Sequence, residues 1–490
     1  MTVIVQEARR DVRIVVGKSV KSGGYPWGEP TTQWEAIAKA KGCSLKEKLR
    51  ASISFVVFVM LLPVGLEAQT ASPAAPAPAQ PSVYGSGVQT PLRYEGEAAP
   101  VNQLALSMGA STFYNDNILQ RNSQRLSDEA VSFESHLTLS RQTENLTISF
   151  DYLPYFLLYR QVTQFDRLNH NADLNLAYRL GSHFNLGLHD TFSYQNGVFQ
   201  SLTGQQIMSG LGSPTALNQT ILPYTIRTLS NSSGLDLTYV KSHRTSLTLT
   251  GGYNQQKFGN QVVAGQPLYN SWGVSGGFQY QYLVTEHSSF GLLLLHQDST
   301  FGGGEVFGNN LRFQTESAAV SVGSRLSPTV TVTMFGGAQY VRTIGQSAAG
   351  AGIAGQVQPS GGGSITKQVR KTALDLSARR TVADGNGLYT LVISTTAGLG
   401  LRRRLMGHWE AHWHGDVARA DTSQFASGKT DALSGVFGLD RPLSSGATLH
   451  VSYETMHQLS RGTLPILADF DRNQVTIGID YQLKAIPLGR

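Results

Sequence analysis

A single cysteine, Cys43, in 490 residues leaves no partner for a disulfide and no paired thiolates for a metal centre. Charge is scarce too, with 15% Asp, Glu, Lys and Arg against roughly 25% in soluble domains. Only one uninterrupted apolar run stands out, ISFVVFVMLLPVGL at 53–66, and it is too short to span a bilayer comfortably. Beyond residue 100 no 3.6-residue periodicity persists, which excludes a bundle of membrane helices. What the chain does have is 52 glycines, 19 tyrosines and 20 phenylalanines, with a mean hydropathy of only −0.15. Apolar residues are present but spread thinly and regularly.

The run at 53–66 has an address function. Lys46, Lys48 and Arg50 precede it, and Glu67 and Ala68 follow it. A basic stretch, a short apolar stretch and a small residue form the secretory signal pattern, so 46–68 is expected to be a signal peptide cleaved after Ala68. Residues 1–45 lie upstream of where such a signal normally begins and are read as a leader or misassigned start, absent from the mature protein. Cys43 leaves with them, and it precedes the apolar run, so it is not a lipoprotein cysteine. The segment to Ala68 holds ten of the 39 basic and six of the 33 acidic residues, leaving a net charge of only +2 on the remainder. That balance makes no case for nucleic-acid binding. Residues 69–100, opening QTASPAAPAPAQPSVYGSG, are too rich in Pro, Ala, Ser and Gly to bury a core and read as a periplasmic linker.

From 101 to 490 period-two alternation returns repeatedly. In NLTISFDY, Leu146, Ile148, Phe150 and Tyr152 alternate with Asn145, Thr147, Ser149 and Asp151; near the end, Val475, Ile477, Ile479 and Tyr481 alternate with polar residues. Successive strand side chains point to opposite faces, so each run has a greasy and a polar surface. The runs pair as hairpins about short polar turns: SRQTEN (140–145), RLGSH (179–183), VKSHR (240–244), VTEHS (284–288), SRLSP (324–328), TKQVRK (366–371), RRRLMG (402–407) and DRPLSSG (440–446). With a single strand near 103–115 before them and one at 472–483 after, the eight hairpins predict 18 strands, within a range of 16–18. Connections at the other end are longer, chiefly 197–230 and 343–358. Short turns, long loops, an even strand number and no cysteine predict an all-β fold, a closed antiparallel transmembrane β-barrel with periplasmic turns and extracellular loops. A sandwich would instead divide into domains of about 100 residues, and no composition break marks such divisions.

Over 103–483 the chain resembles bacterial outer-membrane porin-type β-barrels, and more narrowly the outer-membrane β-barrel proteins with hairpins such as LDRPLSSGATLHVSYE (439–454). The resemblance implies residence in the outer membrane, contact with its lipid, and delivery by the outer-membrane assembly machinery, which reads a terminal aromatic residue. Here the chain departs: Tyr481 and Leu483 are followed by KAIPLGR, leaving Tyr481 to stand in for the signal.

The densest polar stretch is GHWEAHWHGDV, 407–417. Alternation puts His408, Glu410, His412, His414 and Asp416 on the face toward the lumen and Trp409, Ala411, Trp413, Gly415 and Val417 toward lipid. A metal site is the sharper alternative, but same-face neighbours lie about 6.7 Å apart and strands two places along about 9.6 Å away. His450 and Glu454 stand at that second distance, with Asp440 and Arg441 between. Asp375 with Arg379, and Asp173 with Arg179, are further lumen-facing sets. His189 and Asp190 fall on opposite faces, which speaks against an acid–base pair, and GGGEVFG (302–308) lacks the strand-to-helix setting of a nucleotide loop. The expectation is no enzyme, no cofactor and no metal.

An 18-stranded barrel is too wide for side chains to fill. The expected function is passive diffusion of small polar solutes with weak selectivity, since both signs of charge line the lumen. The alternative is a plugged barrel with a structural or surface-interaction role, accessory to polysaccharide export. A homo-oligomer fits the pattern equally, because alternation does not separate a subunit wall from a lipid wall.

Overall fold

In the computed structural model the described residues are 7–8, 11–12, 102–119, 122, 125–196, 227–259, 262–263, 266–302, 311–344, 355–385, 389–405, 408–421, 428–443, 446–462 and 469–488. The chain divides into two units, Met1–Gln69 and Thr70–Arg490. In the first, Glu7–Ala8 pairs antiparallel with Asp11–Val12. The expected signal peptide, the linker and the rest of the leader lie outside the described residues, as do 197–226, 303–310 and 345–354.

Each alternating run of the second unit forms one strand: β1 (Gln103–Asn115), β2 (Asp128–Gln142), β3 (Leu146–Tyr159), β4 (Arg167–Arg179), β5 (Phe184–Asn196), β6 (Arg227–Ser242), β7 (Thr245–Phe258), β8 (Asn270–Thr285), β9 (Ser288–Gly302), β10 (Leu311–Ser327), β11 (Val330–Ile344), β12 (Gln356–Val369), β13 (Thr372–Gly385), β14 (Tyr389–Arg404), β15 (Glu410–Asp421), β16 (Gly428–Pro442), β17 (Ala447–Gly462) and β18 (Phe470–Gln482). Every strand pairs antiparallel with its sequence neighbours, and all eight expected turns fall between the expected partners. Arg227–Ser230 belongs to β6 and Gln356–Gln358 to β12, so the two long loops are shorter than the sequence suggested.

The sheet closes. β18 pairs with β1 from Gln474↔Asn115 to Gln482↔Ser107. Past Gln482 the chain rejoins the same ladder: the Leu483 amide donates to Leu106 O at 2.9 Å, Ile486–Pro487 pairs with Leu104 and Gln103, and the Leu488 amide donates to Asn102 O at 2.9 Å. The tail that departs from the family pattern therefore extends the seam. Closure matters because unpaired backbone groups cost several kcal/mol each in hydrocarbon, where no water can satisfy them.

Register sorts the side chains. Antiparallel partners share a face, so one assigned residue assigns the whole cylinder. On β15 Trp413 is 39% exposed and Val417 49%, while His412 and Asp416 are buried at 4% and 6%. Propagating that parity puts Leu433 and Phe437, Leu249, Val274, Leu294, Val322 and Met334 outward, all exposed and apolar. With strands of 12 to 17 residues, longer than the roughly 9–11 that cross a bilayer, the upper ends project beyond the apolar belt. There the outward positions become charged: Arg312 pairs with Asp298, Glu316 meets His296 at 2.7 Å, and Arg419 meets Asp431 at 2.6 Å. An apolar belt closed by a ladder and topped by ion pairs is the architecture of an outer-membrane β-barrel.

Candidate functional site

The polar face of the cylinder is the candidate site, and its inward residues fall into two walls. From β7 to β12 the polar ones are hydroxyls and carboxamides, such as Thr250 and Asn254 on β7, Gln281 on β8, Gln297 on β9 and Gln339 on β11, interspersed with apolar Leu293, Leu295 and Phe335. Among the described residues the sole inward charge on these six strands is Arg325, at the periplasmic end of β10, where its guanidinium donates to Pro328 O at 3.1 Å. From β13 through β18 and on to β6 the inward face carries carboxylates, imidazoles and arginines instead.

Within that charged wall one small arrangement occurs three times. His189 on β5 stands opposite Gly234 on β6, His412 on β15 opposite Gly438 on β16, and His450 on β17 opposite Gly478 on β18. A Cβ built on any of these glycines would overlap the imidazole. With only hydrogen there, each ring lies down across the neighbouring strand. It then reaches the aspartate two residues past the glycine: Nδ1 of His189 is 3.7 Å from Asp236 Oδ2, that of His412 3.1 Å from Asp440, and that of His450 3.1 Å from Asp480. The aspartate-bearing strands read Gly-Leu-Asp, Gly-Leu-Asp and Gly-Ile-Asp: the middle residue faces outward and the other two face in. This is a steric joint between strands, made by a flat ring in the space a side chain would fill.

The residues singled out from the sequence fall as follows. Glu410, at the start of β15, pairs with Arg402, and its second oxygen lies 3.7 Å from Arg404. His414 Nε2 sits 2.7 Å from Asp416 on the same strand. Glu454 pairs with Arg472 of β18. Asp375 is in register with Thr366, whose hydroxyl it meets, and Arg379 shares its face two repeats of the pleat further on. Asp173 accepts from Thr191 Oγ1 at 2.8 Å, and Arg179 is the exposed last residue of β4. One placement is corrected. His408 does not share the strand face, because β15 begins only at Glu410; His408 is an exposed turn residue with φ of +70°. The left-handed backbone of the turn breaks the alternation that counting backward from His412 assumes. Trp409 is also outside the strand, with the outward Arg441 guanidinium 5.4 Å from its ring centre.

Sequence reasoning singled out none of Glu134, His136, Asp151, Asp236 and Asp480 as site residues. Glu134 and Asp480 are both in register with Gly109 and meet across it. The recurring Gly-Leu/Ile-Asp tripeptide opposite a histidine was the available signal. His136 and Thr138 both reach Asp151 Oδ1, at 3.1 and 2.9 Å. This trio resembles a hydrolase relay only in composition. Thr138 and Asp151 both meet the same ring nitrogen, Nε2, whereas a relay needs the hydroxyl and the acid on opposite nitrogens. No three His, Cys, Asp or Glu side chains converge as metal ligands among the described residues.

At the extracellular mouth the inner face turns apolar. Phe113, Tyr155, Leu157 and Tyr159 pack with Ile118 and Val162 from the adjoining loops. Phe301, Phe313, Val341 and Leu391 form a second cluster, beside which Gln339 Oε1 accepts from the Val382 amide at 2.8 Å.

No family model and no curated protein matches the chain. Solved structures that resemble it include the Pseudomonas aeruginosa outer membrane protein OpdK, at 11% identity and a TM-score of 0.43, covering 79% of this chain and 100% of that one. OccK2 (OpdF) of the same organism, in complex with glucuronate, matches at 13% identity and 0.42 over the same shares of the two chains. Acinetobacter baumannii OccAB4 matches at 10% identity and 0.39, covering 78% and 99%.

Proposed function

We propose that the barrel is a diffusion channel for small polar solutes across the outer membrane, and not an enzyme. One observation carries this reading: polar side chains inside the cylinder, well away from either strand end, keep access to solvent, with His136 and Asp151 at 29% and 37% exposure. That exposure supports a solvent-filled inner wall. A barrel of this strand number leaves room for it, since only about 8 strands give an interior that side chains fill. Weak selectivity follows from a lumen holding both signs of charge. Single-channel recording in planar bilayers tests it. Discrete conductance steps are expected, and their absence from folded protein overturns the reading.

The plugged barrel with a structural or surface-interaction role, accessory to polysaccharide export, has the two apolar clusters of the mouth in its favour. It predicts folded protein that inserts in bilayers and passes no current.

A further inference from the structure

We infer that the channel favours cations, so that its preferred solutes are small polar molecules bearing an ammonium or other positive group; this rests on the pore reading above. The observation behind it is the distribution of charge around the whole lumen.

Carboxylates occupy interior positions of the inward face on several strands, among them Glu134 on β2, Asp151 on β3, Asp173 on β4, Asp236 on β6 and Asp416 on β15. Inward arginines are placed differently. Arg179 and Arg404 are the last residues of their strands, Arg167 is the first of its strand, and Arg402 and Arg472 are each held by a glutamate. Arg379 lies within β13, and Arg325 two residues before the end of β10. Lys257, Lys367 and Lys429 all take the outward parity. Among the described residues the strand interiors therefore carry more inward carboxylates than inward arginines, most of the arginines lying near strand ends or against a glutamate.

Register sharpens the case. Asp151 and Asp173 are direct cross-strand partners. Like charges placed directly opposite destabilise a sheet, and neither carboxylate faces an arginine in its ladder: their hydrogen-bond donors are His136 and Thr138 for one and Thr191 for the other. A wall selected for stability alone would replace one of them. Facing a water-filled lumen, the pair instead adds its potentials, because adjacent strands are about 4.8 Å apart and the screening length at physiological salt is about 8 Å. Rings of acidic side chains are a general means of cation selection in pores. Across the lumen, the β7–β12 wall opposes this field with no arginine ladder, Arg325 at the periplasmic end of β10 being its one inward charge among the described residues. It offers hydroxyl and carboxamide contacts to the neutral remainder of a solute.

The test uses the refolded chain in planar bilayers under a tenfold KCl gradient at pH 8, above the range in which free imidazole titrates. The reversal potential is expected to report potassium permeating more readily than chloride. The double substitution Asp151→Asn with Asp173→Asn should move the permeability ratio toward one, and Asp173→Asn alone should move it part of the way. Asp190→Asn, on the outer face, should leave it unchanged. Folding of each variant is read from heat-modifiable gel mobility, and the single variant serves if the double does not fold. Wild-type current with a ratio at or below one overturns the inference and spares the pore. A ratio unmoved by the folded Asp173 variants also overturns it. Folded protein with no current overturns both.

Discussion

Asn115, the last residue of β1, donates from Nδ2 to Oε1 of Gln474 on β18 at 3.3 Å, joining positions 359 residues apart. Both side chains are buried, and the backbone ladder runs on from them to Gln482↔Ser107. The seam between first and last strands is thus built like any other pair. Proline at Ile477, whose partner across the seam is Thr112, removes an amide from a strand paired on both sides and should prevent accumulation of the compact, heat-modifiable species on a gel. A variant that still migrates as folded barrel would show that closure does not depend on this strand.

The imidazole joints make a steric prediction. Gly438→Ala puts a methyl where the His412 ring lies and should destabilise by about 1–3 kcal/mol, the usual cost of overpacking, read as a lower urea midpoint in lipid vesicles. Combining it with His412→Ala should recover most of the loss. If the double variant is no better than Gly438→Ala alone, the ring is not what fills that space.

His189 and Asp190, neighbours in the chain, serve opposite sides of the wall. His189 lies inside near Asp236, while Asp190 is outside in register with Leu174, accepting hydrogen bonds from Ser233 and Asn231. An anion facing lipid is unfavourable, less so than Arg or Lys at about 2–4 kcal/mol. Asp190→Leu should therefore raise the urea midpoint in vesicles by the equivalent of about 1 kcal/mol. A fall would mean that protein, and not lipid, covers this part of the wall.

Trp272 and Trp413 both face outward, 47% and 39% exposed. Brominated lipid should quench most of the barrel's tryptophan emission, whereas aqueous iodide should quench little. The reverse pattern would place these rings in the lumen and invert every face assigned to the cylinder.

Tyr481 is 50% exposed at the periplasmic end of β18, and the tail beyond it pairs with β1. Tyr481→Ala should slow appearance of folded barrel in cells without changing the urea midpoint of protein refolded in vesicles. Equal loss in both measurements would make Tyr481 a packing residue and leave the assembly signal elsewhere.

Strand number and the eight turns were legible in the sequence, because a strand's period of two is a local property and lipid demands that one of its two sets be apolar. The error at His408 arose where that local rule stops, in a turn whose backbone is left-handed. What only the tertiary structure decided is which inward residues meet. Closure brings Asp480 to Glu134, and register lays His412 over Gly438 and sets Asp151 against Asp173. Alternation is unchanged by sliding one strand two residues along another, so it carries no record of register. Hydrogen bonding around the complete circle chooses one register, and the chemistry of the lumen follows from that choice.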